Sequence, residues 1–177
     1  MAPRVGIIVG SASDLGIAAK AAETFAEFGV EYEVGIASAH RTPSDAANYA
    51  SSAEGRGIEV VIAMAGLSAA LPGVMASHTM LPVIGVPIAS GPLSGSDALL
   101  AVAQMPPGIP VASVGIDGAK NAALLALRIM AARDEKIRGA LAEWSLKSAE
   151  AVRRSRERVK DFPDMPRAPD SAYSPGR

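Results

Sequence analysis

Short runs of β-branched and aliphatic residues alternate five times with alanine-rich stretches in the first 131 residues of the chain. The runs are continuously apolar, as expected of strands that are buried on both faces of a sheet. The predicted strands are residues 5–9, 32–37, 59–65, 83–87 and 111–115. The predicted helices are residues 14–28, 43–56, 69–78, 94–102 and 121–131. Strands that alternate with helices form parallel sheets through right-handed crossovers, so we predict a flavodoxin-like three-layer α/β/α sandwich around a five-stranded parallel sheet.

The distribution of charge suggests how the chain is organised. Residues 1–131 carry six basic and ten acidic side chains, whereas residues 132–160 carry nine basic and five acidic ones. Apolar residues recur at helical spacing from Ile137 to Val152, which predicts a C-terminal amphipathic helix over 132–160. That helix is interpreted either as a surface helix of the same subunit or as an arm that bridges subunits. Residues 161–177 contain four prolines and few apolar residues, which favours an extended or disordered tail.

Composition excludes several classes of function. A net charge of -1 leaves no electrostatic footprint for nucleic acid or for an anionic membrane. The chain has no cysteine, which removes thiolate nucleophiles and cysteine-based metal sites, and its two histidines are too few for a typical zinc site. The N-terminal apolar run is much shorter than a signal-peptide core, and no apolar run approaches the length of a membrane helix. We therefore expect a cytoplasmic protein.

Ligands of open parallel sheets bind beyond the carboxyl ends of the strands, so the loops at those ends matter most. Residues 10–14, Gly-Ser-Ala-Ser-Asp, follow the first strand and lead into a helix, with Ser13 as its expected N-cap. Backbone N–H groups and two hydroxyls at the positive end of a helix favour an anion, and we interpret it as a phosphate. The same residues also suit an ordinary helix cap.

The loops after the second and third predicted strands carry further candidates. His40 lies in residues 38–43, Ser-Ala-His-Arg-Thr-Pro, where an imidazole can exchange a proton with a ligand and the adjacent Arg41 can bind phosphate or carboxylate. Residues 65–73 are mostly small and let the backbone approach a flat ligand closely, although they equally suit the packing of a helix on a sheet. His78 lies at the far end of the next helix, and we interpret it as structural or interfacial.

Five motifs in order resemble those of the family of carboxyaminoimidazole ribonucleotide mutases and aminoimidazole ribonucleotide carboxylases of purine biosynthesis. They are GSASD at 10–14, SAHRTP at 38–43, LPVIGVP at 81–87, QMPPGIPV at 104–111 and KNAALLA at 120–126. The resemblance covers about residues 5–131 and implies a flavodoxin-like catalytic domain there. It also implies a homo-octamer with active sites near subunit contacts, and no metal or organic cofactor.

The resemblance further implies a role for each matching residue. Those expected to hold the ribonucleotide are Ser11, Ser13, Asp14, Ser38 and Arg41, with Ala65, Gly66 and Ser68 lining the base and His40 as general acid and base. In the implied reaction, a carboxyl group is released or taken up as carbon dioxide and imidazole carbon four attacks it. The product is 4-carboxy-5-aminoimidazole ribonucleotide.

Departures from the mutase pattern leave the one-carbon donor open. Bacterial mutases typically have a second histidine where this chain has Ala70, and both Lys20 and the start of the third loop at 65–68 are closer to carboxylases that use free carbon dioxide. Most of the other motifs are closer to mutases. We therefore predict a mutase acting on N5-carboxyaminoimidazole ribonucleotide, with a carboxylase as the alternative. A third hypothesis is a non-catalytic nucleotide-binding scaffold, against which the retention of His40 argues.

Overall fold

The structure, a computed structural model, describes residues 2–161, 166 and 168–173. Five parallel strands form one sheet in the order β2-β1-β3-β4-β5. The strands are β1 (Val5–Val9), β2 (Tyr32–Ile36), β3 (Val60–Gly66), β4 (Val83–Ile88) and β5 (Ala112–Ser113). The predicted five-stranded parallel sheet is confirmed, and this strand order is that of flavodoxin-like folds.

Helices cover both faces of the sheet. They are α1 (Leu15–Glu27), α2 (Pro43–Ala53), α3 (Leu71–Ser77), α4 (Ser96–Ala103), α5 (Ala119–Met130) and α6 (Glu135–Ser155). Shorter 3₁₀ helices are Ala12–Asp14, Glu54–Arg56, Arg156–Asp161 and Asp170–Tyr173. Helices α1 and α5 pack together on one face, whereas α2, α3 and α4 share a core with β3 and β4 on the other. The three predicted layers are thereby confirmed.

Alanine is abundant because the helices lie close to the sheet. In α2, the side chains of Ala46, Ala50 and Ala53 are all fully buried, and their spacing places them on one face of the helix. The strands beneath are equally buried, with all five residues of β1 inaccessible to solvent and only the last residue of β3 partly accessible. Small helix residues against branched strand residues give the close packing on which a low-aromatic core depends.

The chain divides into two compact units, residues 1–138 and 139–177, so the first unit extends beyond the predicted boundary at 131. Side-chain contacts explain the extension. One Asp134 carboxylate oxygen accepts a hydrogen bond from Arg4 at 2.9 Å and the other accepts one from the Ile137 amide at 3.2 Å. Arg138 donates to the Ala131 carbonyl at the end of α5 at 2.9 Å. The guanidinium of Arg4 holds the pKa of Asp134 below its usual range.

The C-terminal residues are described in part. The predicted helix over 132–160 corresponds to α6 and the 3₁₀ helix after it, and its role as surface helix or bridging arm stays a prediction. Of the predicted tail, residues 162–165, 167 and 174–177 lie outside the described residues, and Asp170–Tyr173 form a 3₁₀ helix. No helix within the described part of the chain is both long and apolar enough to cross a membrane.

Candidate active site

A cleft of about 520 Å³ lies beyond the carboxyl ends of β1, β2, β3 and β4. Pockets that bind small molecules typically fall in the range of about 300–1,000 Å³. Every predicted site residue lines this cleft, namely Ser11, Ser13, Asp14, Ser38, His40, Arg41, Ala65, Gly66 and Ser68. Strand order explains the juxtaposition, because β1 lies between β2 and β3 and their loops emerge side by side. The roles of these residues remain predictions.

The serine loop, residues 10–14, is stabilised by hydrogen bonds of its own hydroxyl groups. The Ser11 hydroxyl accepts a hydrogen bond from the Ser13 amide at 3.4 Å and lies 3.1 Å from the Ser13 hydroxyl, which also donates to the Asp14 carboxylate at 3.0 Å. The prediction that Ser13 caps α1 is wrong. Ser11 caps the 3₁₀ helix Ala12–Asp14, and Asp14 stands at the start of α1, because the chain makes that extra turn first.

Arg41 connects the second loop to the first. Its guanidinium donates to the Gly10 carbonyl at 3.2 Å and to the Ser38 hydroxyl at 3.4 Å. Ser38 also accepts from the Arg41 amide at 3.2 Å, and the Thr42 hydroxyl accepts from the Ser38 amide at 2.9 Å. These bonds hold the positively charged guanidinium beside the serine loop. Its charge adds to the positive potential at the N-terminus of the helix that follows. This end of the cleft is therefore suited to an anion.

His40 is exposed at the rim of the second loop. Among the described residues, no group forms a hydrogen bond with its imidazole. Histidine is the side chain whose charge most readily changes near neutral pH, and a ring without a protein partner is available to a ligand. The cleft thus places an exposed imidazole near side chains suited to bind an anion.

The third loop forms the floor of the cleft in an unusual backbone conformation. Leu67 has φ 54° and Ala69 has φ 28°, both in the left-handed region that residues other than glycine seldom adopt. The Ala69 amide donates to the Gly66 carbonyl at 3.1 Å, which closes the turn. Ala70 lines the cleft at the start of α3, and because its side chain is a methyl group it contributes no titratable group there.

Ser90 lines the cleft as well, and sequence analysis missed it. It follows β4, the fourth strand to end at this edge, and that placement was the available signal. Further lining residues that were not predicted are Gly10, Ala39, Leu67, Ala69 and Leu71. They contribute backbone or apolar surface, which a polar motif does not reveal.

His78 lies near the amino-terminal ends of the strands, away from the cleft, as expected. Its Nδ1 is 2.9 Å from the Val74 carbonyl oxygen, one turn earlier in α3. It lines a separate cavity of about 570 Å³ near Pro82 and Pro110, which precede β4 and β5. His78 is therefore outside the candidate site.

The side chains that line the cleft are of the types needed to bind an anion and to transfer a proton. The described residues contain no cluster of three or more potential metal ligands. The lining side chains suited to acid–base work are the His40 imidazole and the Asp14 carboxylate, and the carboxylate already accepts a hydrogen bond from Ser13.

Comparison with known proteins places this arrangement in context. The family model described as AIR carboxylase matches residues 4–151. The N5-carboxyaminoimidazole ribonucleotide mutase of Pyrococcus abyssi is 58% identical over 142 residues, which is 80% of this chain and 82% of that protein. The mutase of Pyrococcus horikoshii is 56% identical over 88% of this chain and 90% of its own length. The crystal structure of Treponema denticola PurE is similar with a TM-score of 0.79 at 32% identity, over 89% of this chain and 99% of that one.

Proposed function

The chain belongs to the AIR carboxylase family and acts in purine biosynthesis as a mutase, and we propose that it does so in the cleft that contains His40. The reaction moves the carboxyl group of N5-carboxyaminoimidazole ribonucleotide from the exocyclic nitrogen to ring carbon four. The observation that supports this site is the His40 imidazole, without a hydrogen-bond partner in the described part of the chain, in one cleft with an arginine and a serine loop.

Substrate binding is proposed to begin with the phosphate. The phosphate lies against Ser11, Ser13 and the Arg41 guanidinium, where two hydroxyls and a permanent charge meet. Asp14 is negative and would repel a phosphate, so its carboxylate accepts hydrogen bonds from the ribose hydroxyls instead. The base then lies over Ala65 and Gly66, whose small size allows close contact with a planar ring.

His40 is proposed to carry one proton through the whole reaction. Protonated His40 donates to the exocyclic nitrogen as the nitrogen–carbon bond breaks, which releases carbon dioxide and leaves an amine. Ring carbon four then attacks the carbon dioxide to form the new carbon–carbon bond. The proton on that carbon returns to the imidazole, so the enzyme ends in its initial state. General acid–base catalysis of this kind contributes about 10²–10⁴-fold.

A carboxylase that takes free carbon dioxide remains a second candidate, because Ala70 lines the cleft where a mutase has a second imidazole. One experiment separates the two. The purified chain is supplied either with N5-carboxyaminoimidazole ribonucleotide or with aminoimidazole ribonucleotide and carbon dioxide, and the carboxylated product is measured. Rearrangement without carboxylation at high carbon dioxide supports the mutase. Faster reaction with free carbon dioxide supports the carboxylase, and no product from either substrate contradicts the proposed function.

Self-association to a homo-octamer, in the cytoplasm, is part of the proposal. Support comes from exposed apolar side chains, with Val34 and Ile36 of the edge strand β2 exposed by 45% and 54% and Met80 by 94%. Val34 and Ile36 alternate along one strand and so share a face, and an apolar face at a sheet edge suits contact with another copy of the chain. Light scattering at micromolar concentration should give a mass several times that of one 18.0 kDa chain. A monomer mass would contradict the proposed assembly.

Removing the hydroxyls of the serine loop should affect binding more than turnover. Ser11→Ala and Ser13→Ala each remove a phosphate contact that is made about equally in the ground and transition states, so KM rises while kcat changes little. Steady-state kinetics on both variants measure this, with Ser51→Ala on the exposed side of α2 as the control. An unchanged KM with a large loss of kcat would show that the loop does not hold the phosphate.

A further inference from the structure

Ser90 is the polar side chain of the cleft for which neither the motifs nor the reaction steps above account. It is half-buried and lines the cleft beyond the end of β4. Among the described residues its hydroxyl has no hydrogen-bond partner, although it can both donate and accept. A hydroxyl in that situation is free to bind a ligand.

The position of the hydroxyl depends on the absence of a side chain at Gly66. A Cβ added to Gly66 would overlap the Ser90 Oγ and would lie 3.2 Å from the Ile88 carbonyl oxygen. The Ser90 hydroxyl therefore occupies the space above the α-carbon of Gly66. The hydroxyl therefore borders the part of the cleft where the base is proposed to lie.

The strand order indicates which end of the ligand Ser90 meets. The cationic Arg41 and the serine loop follow β2 and β1, whereas Ser90 follows β4, two strands beyond β1. Two strand spacings amount to about 10 Å, which is too far for Ser90 to share the phosphate. The loops after β3 and β4 contribute no cation to the cleft lining, so they suit the uncharged end of a nucleotide.

Asp117 holds the segment that contains Ser90. Its carboxylate accepts a hydrogen bond from the Ala89 amide at 3.0 Å, and its own amide donates to the Pro87 carbonyl at 2.9 Å. Asp117 has φ 55°, a conformation that aspartate tolerates better than most residues but glycine better still. The carboxylate thus links the loop before α5 to the residue immediately preceding Ser90.

We propose that the Ser90 hydroxyl binds the polar edge of the substrate base, and that Asp117 is a positioning residue that holds Ser90 in place through the Ala89 amide. The assignment to a base rests on the proposed function. Ser90 makes its hydrogen bond in both ground and transition states, so its loss raises KM rather than lowering kcat.

Kinetics of four variants test the proposal. Ser90→Ala is expected to raise KM about 2- to 10-fold, the effect of one neutral hydrogen bond, with little change in kcat. Asp117→Gly removes the whole side chain, including the carboxylate, at a φ that glycine adopts without strain, and we expect a similar rise in KM. Asp117→Asn, unlike Asp117→Gly, keeps an acceptor oxygen for the Ala89 amide, so its KM should equal that of the wild type. Ser94→Gly is the control, because Ser94 is exposed in the same loop and also has a positive φ of 50°.

The double variant Ser90→Ala/Asp117→Gly distinguishes positioning from a general structural role. If Asp117 acts through Ser90, the double variant has the KM of Ser90→Ala alone; if the two effects multiply, the positioning role is overturned. An unchanged KM in Ser90→Ala overturns the binding role. Calorimetric titration with aminoimidazole ribonucleotide gives the same ratios as Kd values. A wild-type chain that binds this ribonucleotide but forms no product contradicts the proposed function alone, while the Kd ratios still test Ser90.

Discussion

Replacing His40 by asparagine should lower turnover at least about a hundredfold while leaving ribonucleotide binding unchanged. Asparagine has a similar polar shape but cannot take up and return a proton. Of the other lining side chains, the Asp14 carboxylate is assigned to the ribose hydroxyls, the serine hydroxyls are very weak acids, and Ala70 has no titratable group. The expected result follows directly from the cleft having one imidazole among its lining residues.

The matched control is His78→Asn, which changes the second histidine of the chain, near the amino-terminal ends of the strands. Its turnover should stay within a few fold of the wild type. Steady-state kinetics give kcat for both variants, and calorimetric titration gives the affinity for the ribonucleotide. An active His40→Asn enzyme would contradict the proposed proton transfer, whereas loss of binding together with turnover would show that His40 holds the substrate instead.

Gly85→Ala should destabilise the sheet, because the added methyl group has no room. Gly85 is in β4, between Ala63 of β3 and Ser113 of β5. A Cβ there would overlap Cγ1 of Val102 and lie 2.9 Å from Cγ1 of Val111. Val102 is buried in the core and Val111 packs against it, so the expected cost is about 1–3 kcal/mol of the free energy of unfolding.

Denaturation followed by circular dichroism measures this cost. Gly16→Ala, on the exposed side of α1 with open space around the added methyl group, is the control and should be neutral or stabilising. Adding Val102→Ala to Gly85→Ala removes the overlapping methyl group and should recover part of the loss. Equal stability of Gly85→Ala and the wild type would mean that the core has unused space at this point.

Periodicity predicted the sheet well because buried parallel strands are continuously apolar, but it placed several boundaries wrongly. Helix α4 begins at Ser96 rather than at residue 94, since Ser94 and Gly95 have φ of 50° and 89°. Helix α3 begins at Leu71 rather than at residue 69, since Ala69 has φ 28°. Serine and alanine rarely adopt this conformation, so the pattern does not reveal the turns at Ser94 and Ala69.

Strand β5 was also predicted too long, because five residues were predicted and two are found. Beyond it, the Val114 amide still donates to the Gly85 carbonyl at 3.1 Å, so hydrogen bonding to β4 continues one residue past the end of β5. The candidate site was predictable wherever polar residues followed a strand within a motif. Ser90 escaped because its neighbours, Gly91 and Pro92, give a turn signal but no chemical one.

The strand order also has a consequence for the chain as it leaves the ribosome. β1 is the first strand to be synthesised, yet it pairs with β2 on one side and with β3, ending at Gly66, on the other. Synthesis proceeds at about 5–20 residues per second, so the second edge of β1 stays unpaired for on the order of 3–10 s. During that interval the apolar residues of β1, which are buried in the folded protein, are accessible to chaperones and to other nascent chains. The speed of translation through residues 10–59 sets how long they stay accessible.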